Sequence, residues 1–149
     1  MKCSLILLEK CLKLWQKPCR IILIRTCYDI QTAYLYKYSD KPITEAERAG
    51  FKVVKLEDKE ITEKSLQSRL KKHKPSLIFF NGHGNKTSLF CKDQEVFIDI
   101  DSCDVFKNTI TFARACDCLA GLGKEAVSNG CKAFIGYSKK FWIARHHPR

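Results

Sequence analysis

At 149 residues, 45% hydrophobic and 29% charged, the chain is long enough to enclose one core and too apolar for a disordered tail. Lys and Arg number 27 against 16 Asp and Glu, a net charge of +11 that permits binding to nucleic acid, anionic membrane or acidic protein and demands none of them. Nine cysteines, an odd count with no C-x-x-C pair, exclude a fully paired disulfide scaffold, argue against a structural zinc site and read as small buried hydrophobes of a reducing cytoplasm.

The chain opens on MKCSLILLEKCLKLW, whose apolar run is cut by Glu9 and Lys10 and is too short for a signal core or a membrane span. Leu5, Leu8, Leu12 and Trp15 fall at helical spacing, so residues 1–19 are expected to form an amphipathic helix packed on the domain rather than on a membrane. A single domain over 20–149 follows. RIILIRTC (20–27) is an apolar, β-branched strand. Residues 30–50 are helical, interrupted by Pro42 and stopped by Gly50. FKVVKL (51–56) is a second strand, and 61–74 is a helix whose last turn, Lys71 to Lys74, complements the helix dipole.

After Pro75, SLIFF (76–80) is a third strand, running straight into Asn81-Gly82-His83-Gly84. Residues 88–98 have the pattern of a hairpin, with apolar arms around a polar KDQE turn, and a short helix is expected over 102–107. TITFARAC (109–116), a helix over 118–130 and CKAFIGY (131–137) complete the pattern. Strands alternating with helices, and apolar along most of their length, predict an α/β fold: a doubly wound, mostly parallel sheet in three layers, with a small hairpin after the third strand. Right-handed crossovers put the strand C-termini on one edge, where ligands bind in such sheets. His83 and Cys116 both lie there, 33 residues apart in sequence; on neighbouring strands they would be about 5 Å apart at the strand ends.

A thiol beside an imidazole makes a nucleophile–base pair. Gly84 admits a substrate backbone, and its N–H, with that of Cys116, could meet a developing oxyanion. A helix starting just after Cys116 would favour its thiolate, against the negative charge of Asp117.

LIFFNGHG (77–84) followed by TITFARACDC resembles the caspase-like fold of cysteine peptidases, the group that includes caspases, metacaspases, legumain, separase, gingipains and CHAT domains. Their shared signature is an apolar strand ending in His-Gly and a second ending in Ala-Cys or Gln-Cys. ACDCLAGLGKEAVSNGCKAFIGY is similar to the CHAT and gingipain-like branch. Over roughly residues 20–142 the resemblance implies a cysteine endopeptidase working through an acyl-enzyme, with His83 as general base and Cys116 as nucleophile. Gly84 and Cys116 would form the oxyanion hole. No cofactor or metal is implied; the partners would be a protein or peptide substrate and an activating protein. Some relatives use an acid just after the first strand to bind Arg or Lys, which makes Asp29, and secondarily Asp117, candidates for the substrate pocket and for cleavage after a basic residue. Asp29 also reads as the cap of the following helix. Cys118 stands where relatives often carry Ser or Thr and is the alternative nucleophile. In relatives a segment like 136–149 leads into further structure around the pocket, so this chain reads as a C-terminally truncated, minimal or degenerate copy.

The competing reading is a catalytically incomplete caspase-like module with a regulatory or interaction role. A nucleotide- or nucleic-acid-binding domain is disfavoured, since RTCYDIQTAY has no glycine to cradle a phosphate. His146 and His147 read as solvated rather than metal-binding. Phe141 and Trp142 read as core or oligomer packing ahead of a groove wall, and Tyr34, Tyr36 and Tyr38 as ordinary packing.

Overall fold

The structure, a computed structural model, describes residues 19–143; the amphipathic segment, apart from its last residue, and His146 and His147 lie outside that range. Five strands form one parallel sheet in the order β2-β1-β3-β7-β8: β1 (Arg20–Arg25), β2 (Lys52–Glu57), β3 (Leu77–Asn81), β7 (Ile110–Arg114) and β8 (Ala133–Ile135). A second, antiparallel sheet holds β4 (His83–Gly84), β5 (Ser88–Phe90) and β6 (Val96–Asp99). The helices are α1 (Ile30–Tyr38), α2 (Asp40–Arg48), α3 (Glu63–His73) and α4 (Leu122–Ser128). The expected mostly parallel α/β fold is therefore present, and the hairpin after β3 is there as β5 and β6.

Alternation along the strands divides the sheet into two faces. Ile22, Ile24, Ile78, Phe80 and Ala113 point to the side where Leu66 of α3 and Leu122 and Ala126 of α4 complete the main core. Leu89 and Ile98 of the small sheet and Phe106 join it, so the hairpin is bolted to the same core as the sheet. Phe80 and Phe106 are its largest fully buried side chains, each contributing about 1.5–3 kcal/mol of burial. The opposite face presents Ile21, Leu23, Leu77, Phe79 and Phe112 toward Pro42, Ile43 and Ala46 of α2. Phe79 and Phe112, paired in register, stack with ring centroids 5.1 Å apart.

Two boundaries differ from the sequence reading. The break in 30–50 falls at Ser39, not Pro42. The buried Arg25 guanidinium reaches the Tyr36 carbonyl, Ser39 Oγ and the Asp40 carboxylate, holding the chain bent there. Pro42 fits the first turn of α2, where an N–H has no intrahelical acceptor. The helix expected from 118 starts only at Leu122. Residues 115–121 instead form a turn in which Asp117 adopts a φ of 57° and its carbonyl accepts from Ala120 N–H. A Cβ on Gly121 would collide with the Lys86 carbonyl oxygen, which accepts the Leu122 N–H at 2.7 Å. Tertiary contact with the 85–87 loop, rather than propensity, sets where α4 begins.

Candidate active site

The C-terminal edge of three neighbouring strands builds the site. Because the order runs β1-β3-β7, the residues just past each strand stand on one edge in turn: Asp29 after β1, His83 after β3 and Cys116 after β7. The β1, β3 and β7 ends are level, with Arg25, Asn81 and Arg114 in one register row.

His83 is not the trailing end of β3. Gly82 turns the chain, its N–H donating to the Arg114 carbonyl at 3.3 Å, and His83-Gly84 begins the second sheet by pairing with Phe90 and Leu89 of β5. Asn85 closes this short ribbon: its side-chain oxygen accepts from the N–H groups of Thr87 and Ser88, both at 2.8 Å. The glycines are required by contact. A Cβ on Gly82 would lie 2.8 Å from the Phe80 ring, and one on Gly84 would lie 2.8 Å from the Ala115 Cβ and 3.3 Å from the Cys116 carbonyl oxygen. Gly84 thus lets the His83 ribbon lie flush against the Cys116 turn.

His83 Nε2 lies 2.6 Å from Asp29 Oδ2. The other carboxylate oxygen, Oδ1, caps α1: it accepts from Thr32 N–H at 2.7 Å and Thr32 Oγ at 2.8 Å, while Thr32 Oγ accepts from Asp29 N–H in return. Burial alone would raise the Asp29 pKa; the Thr32 backbone N–H, then His83 and the Thr32 hydroxyl, outweigh it and hold the carboxyl below its ordinary value. Asp29 is consequently ionised at neutral pH and can only accept. The neutral imidazole must then carry its proton on Nε2, which leaves the Nδ1 lone pair free to act as a base. The Tyr28 ring, 5.9 Å away at 57°, flanks the imidazole.

Cys116 and His83 line a common cavity of about 300 Å³ with Gly82, Ile30, Gln31, Tyr34, Leu35 and the segment Phe141–Ile143. Cys116 is half-buried and forms no disulfide with another described residue. Because α4 begins six residues later, no helix N-terminus sits at its thiol. Cys118 is fully buried, its Sγ 3.3 Å from the Ala115 carbonyl and in contact range of Gly136, and burial pushes its thiol pKa up. It faces the core rather than the cavity. Asp117 lines neither cavity touched by His83, and its N–H donates to the Lys139 carbonyl at 3.3 Å.

The sequence reading placed Asp29 as a helix cap or a substrate-binding acid; the cap is present, and the contact with His83 is an addition that 54 residues of separation concealed. Phe141 and Trp142, expected foremost as packing, stand on the cavity wall, as does Tyr34. No group of His, Cys, Asp and Glu among the described residues has the arrangement of a metal site, and none of their helices is long and apolar enough to cross a membrane. No protein-family model matches the chain, and no curated protein matches it in sequence.

Proposed function

We propose that the protein is a cysteine endopeptidase of the caspase-like fold, acting through Cys116 and His83 with Asp29 as a positioning residue. The observation that carries this reading is the delivery of an imidazole and a thiol to one cavity from the C-terminal ends of adjacent parallel strands, with one imidazole nitrogen, Nε2, held by a carboxylate. His83 takes the Cys116 proton; the thiolate adds to a peptide carbonyl; His83 returns the proton to the leaving amine as the C–N bond breaks. Water, deprotonated by His83, then attacks the thioester, and the Cys116 sulfur leaves and regains its proton. The N–H groups of Gly84 and Cys116, on segments packed too closely for a Cβ at Gly84, are the proposed donors to the oxyanion. The substrate is a protein or peptide, and an activating protein partner is part of the proposal.

The test is covalent labelling. Peptide acyloxymethyl ketones should modify Cys116, located by mass spectrometry of the digested adduct, and His83→Ala should slow labelling by about 100-fold or more while leaving the fold intact by circular dichroism. A folded protein that no such probe labels, or labelling indifferent to His83→Ala, overturns the peptidase reading in favour of a non-catalytic regulatory module.

A further inference from the structure

Resting on the peptidase reading, we infer that the cavity beside Cys116 selects substrates by a large apolar or aromatic side chain on the residue that supplies the scissile carbonyl, and not by a basic one. Two cavities flank His83, and they differ in which catalytic group they share. The first, of about 300 Å³, touches both Cys116 and His83. The second, of about 390 Å³, is bounded by Asp29, Gln31, His83, Gly84, Phe90 and Gln94 and does not touch Cys116. The scissile carbonyl carbon must reach bonding distance of Cys116 Sγ, and its side chain branches from the next atom along the chain. That side chain therefore falls in the cavity that Cys116 lines. The leaving amine takes its proton from His83, so the chain beyond the cut runs toward the second, more polar cavity.

The walls of the first cavity decide what enters. Ile30, Tyr34, Leu35, Phe141, Trp142 and Ile143 surround it, and among the described residues no carboxylate, Lys or Arg lines it. Asp29 spends both oxygens on Thr32 and His83, and Asp117, next to Cys116 in the chain, does not line the cavity. A guanidinium or ammonium would be desolvated there without a partner, whereas an aromatic ring would meet aromatic and aliphatic walls. Trp142 is 93% exposed and Ile30 63% exposed at this rim, so apolar surface stands unsatisfied at the entrance. The volume is at the small end for a ligand site and suits a single side chain.

The experiment separates specificity from catalysis. In Cys116→Ala, peptides differing only in a C-terminal Phe, Leu, Arg, Lys or Asp, each representing the acyl half of a cleaved substrate, are titrated while the amide resonances of Gln31, Tyr34 and Trp142 are followed by NMR. The Phe or Leu peptide is expected to bind at least about tenfold more tightly than the Arg, Lys and Asp peptides, and to shift those resonances. The second variant is Ile30→Asp, at an exposed first-turn position where a helix tolerates an acid. It should erase the Phe preference and improve Arg binding. Equal binding of all the peptides, a preference for Arg, Lys or Asp, or an apolar preference unchanged in Ile30→Asp would overturn the inference. If the apolar preference appears while no active-site probe labels Cys116 in the native chain, the cavity assignment stands and the peptidase reading falls.

Discussion

Asp29 carries two separable duties, and two substitutions divide them. Asp29→Asn keeps a good N-cap, since the amide oxygen can still accept from Thr32 N–H, but removes the anion that faces His83 Nε2. Asp29→Ala removes both. Losing the cap costs about 1 kcal/mol. The His83 contact adds no more than about 1 kcal/mol, because both side chains are roughly one-third exposed. For a chain of this size about 1–2 kcal/mol lowers the melting temperature by about 2–8 °C. Thermal denaturation at pH 7 should therefore show Asp29→Ala falling by that amount, with Asp29→Asn, which keeps the cap, falling less and by no more than about 2–4 °C. The labelling rate of Cys116 should behave differently: both variants should lose it, because in each the imidazole is no longer held in the tautomer with a free Nδ1. The pH dependence has a fixed sign. The Asp29 pKa is depressed in the folded state, so its stabilisation is complete above the unfolded-state pKa, about 3.9, and is lost as pH falls through the lower folded value. The parent should lose more stability than Asp29→Asn on acidification below about pH 4. If Asp29→Asn melts as low as Asp29→Ala at pH 7, or labels Cys116 as fast as the parent, the division of roles is wrong.

Three other substitutions probe the frame around the site. Gly84→Ala should push the His83 ribbon off the Cys116 turn, because its Cβ has Ala115 at 2.8 Å and backbone oxygens at 3.2 and 3.3 Å; chemical denaturation should show a loss of about 1–3 kcal/mol together with slower Cys116 labelling. Cys118→Ala should leave the Cys116 labelling rate within about twofold while lowering stability modestly, as expected of a buried thiol serving as packing; a loss of labelling comparable to Cys116→Ala would make Cys118 the nucleophile. Phe80→Ala, at the centre of the core shared by the sheet and the hairpin, should cost about 3–5 kcal/mol in urea unfolding; a loss under about 1 kcal/mol would mean the hairpin does not share that core.

Much of the fold was legible in the sequence because its signals are local. Apolar β-branched runs separated by helical periodicity identify the strands of a parallel sheet, and crossover handedness sends their C-termini to one edge. That alone put His83 and Cys116 on the same side of the molecule. What remained hidden depends on spatial order. Strand order β1-β3-β7 brings Asp29 to His83 across 54 residues, and no pattern in TCYDI announces that contact. The bend at Ser39 is imposed by Arg25 from a neighbouring strand, and the late start of α4 by the Lys86 carbonyl, so local helix signals misplaced both. Burial separates Cys116, which lines a cavity, from Cys118, which the sequence leaves as the alternative thiol. By itself the sequence determined on which edge of the sheet the histidine and the cysteine stand, because strand polarity is written in it. Only the tertiary structure decided which partners they meet, which cysteine opens to a cavity and what lines that cavity, because those depend on contacts between segments far apart in the chain.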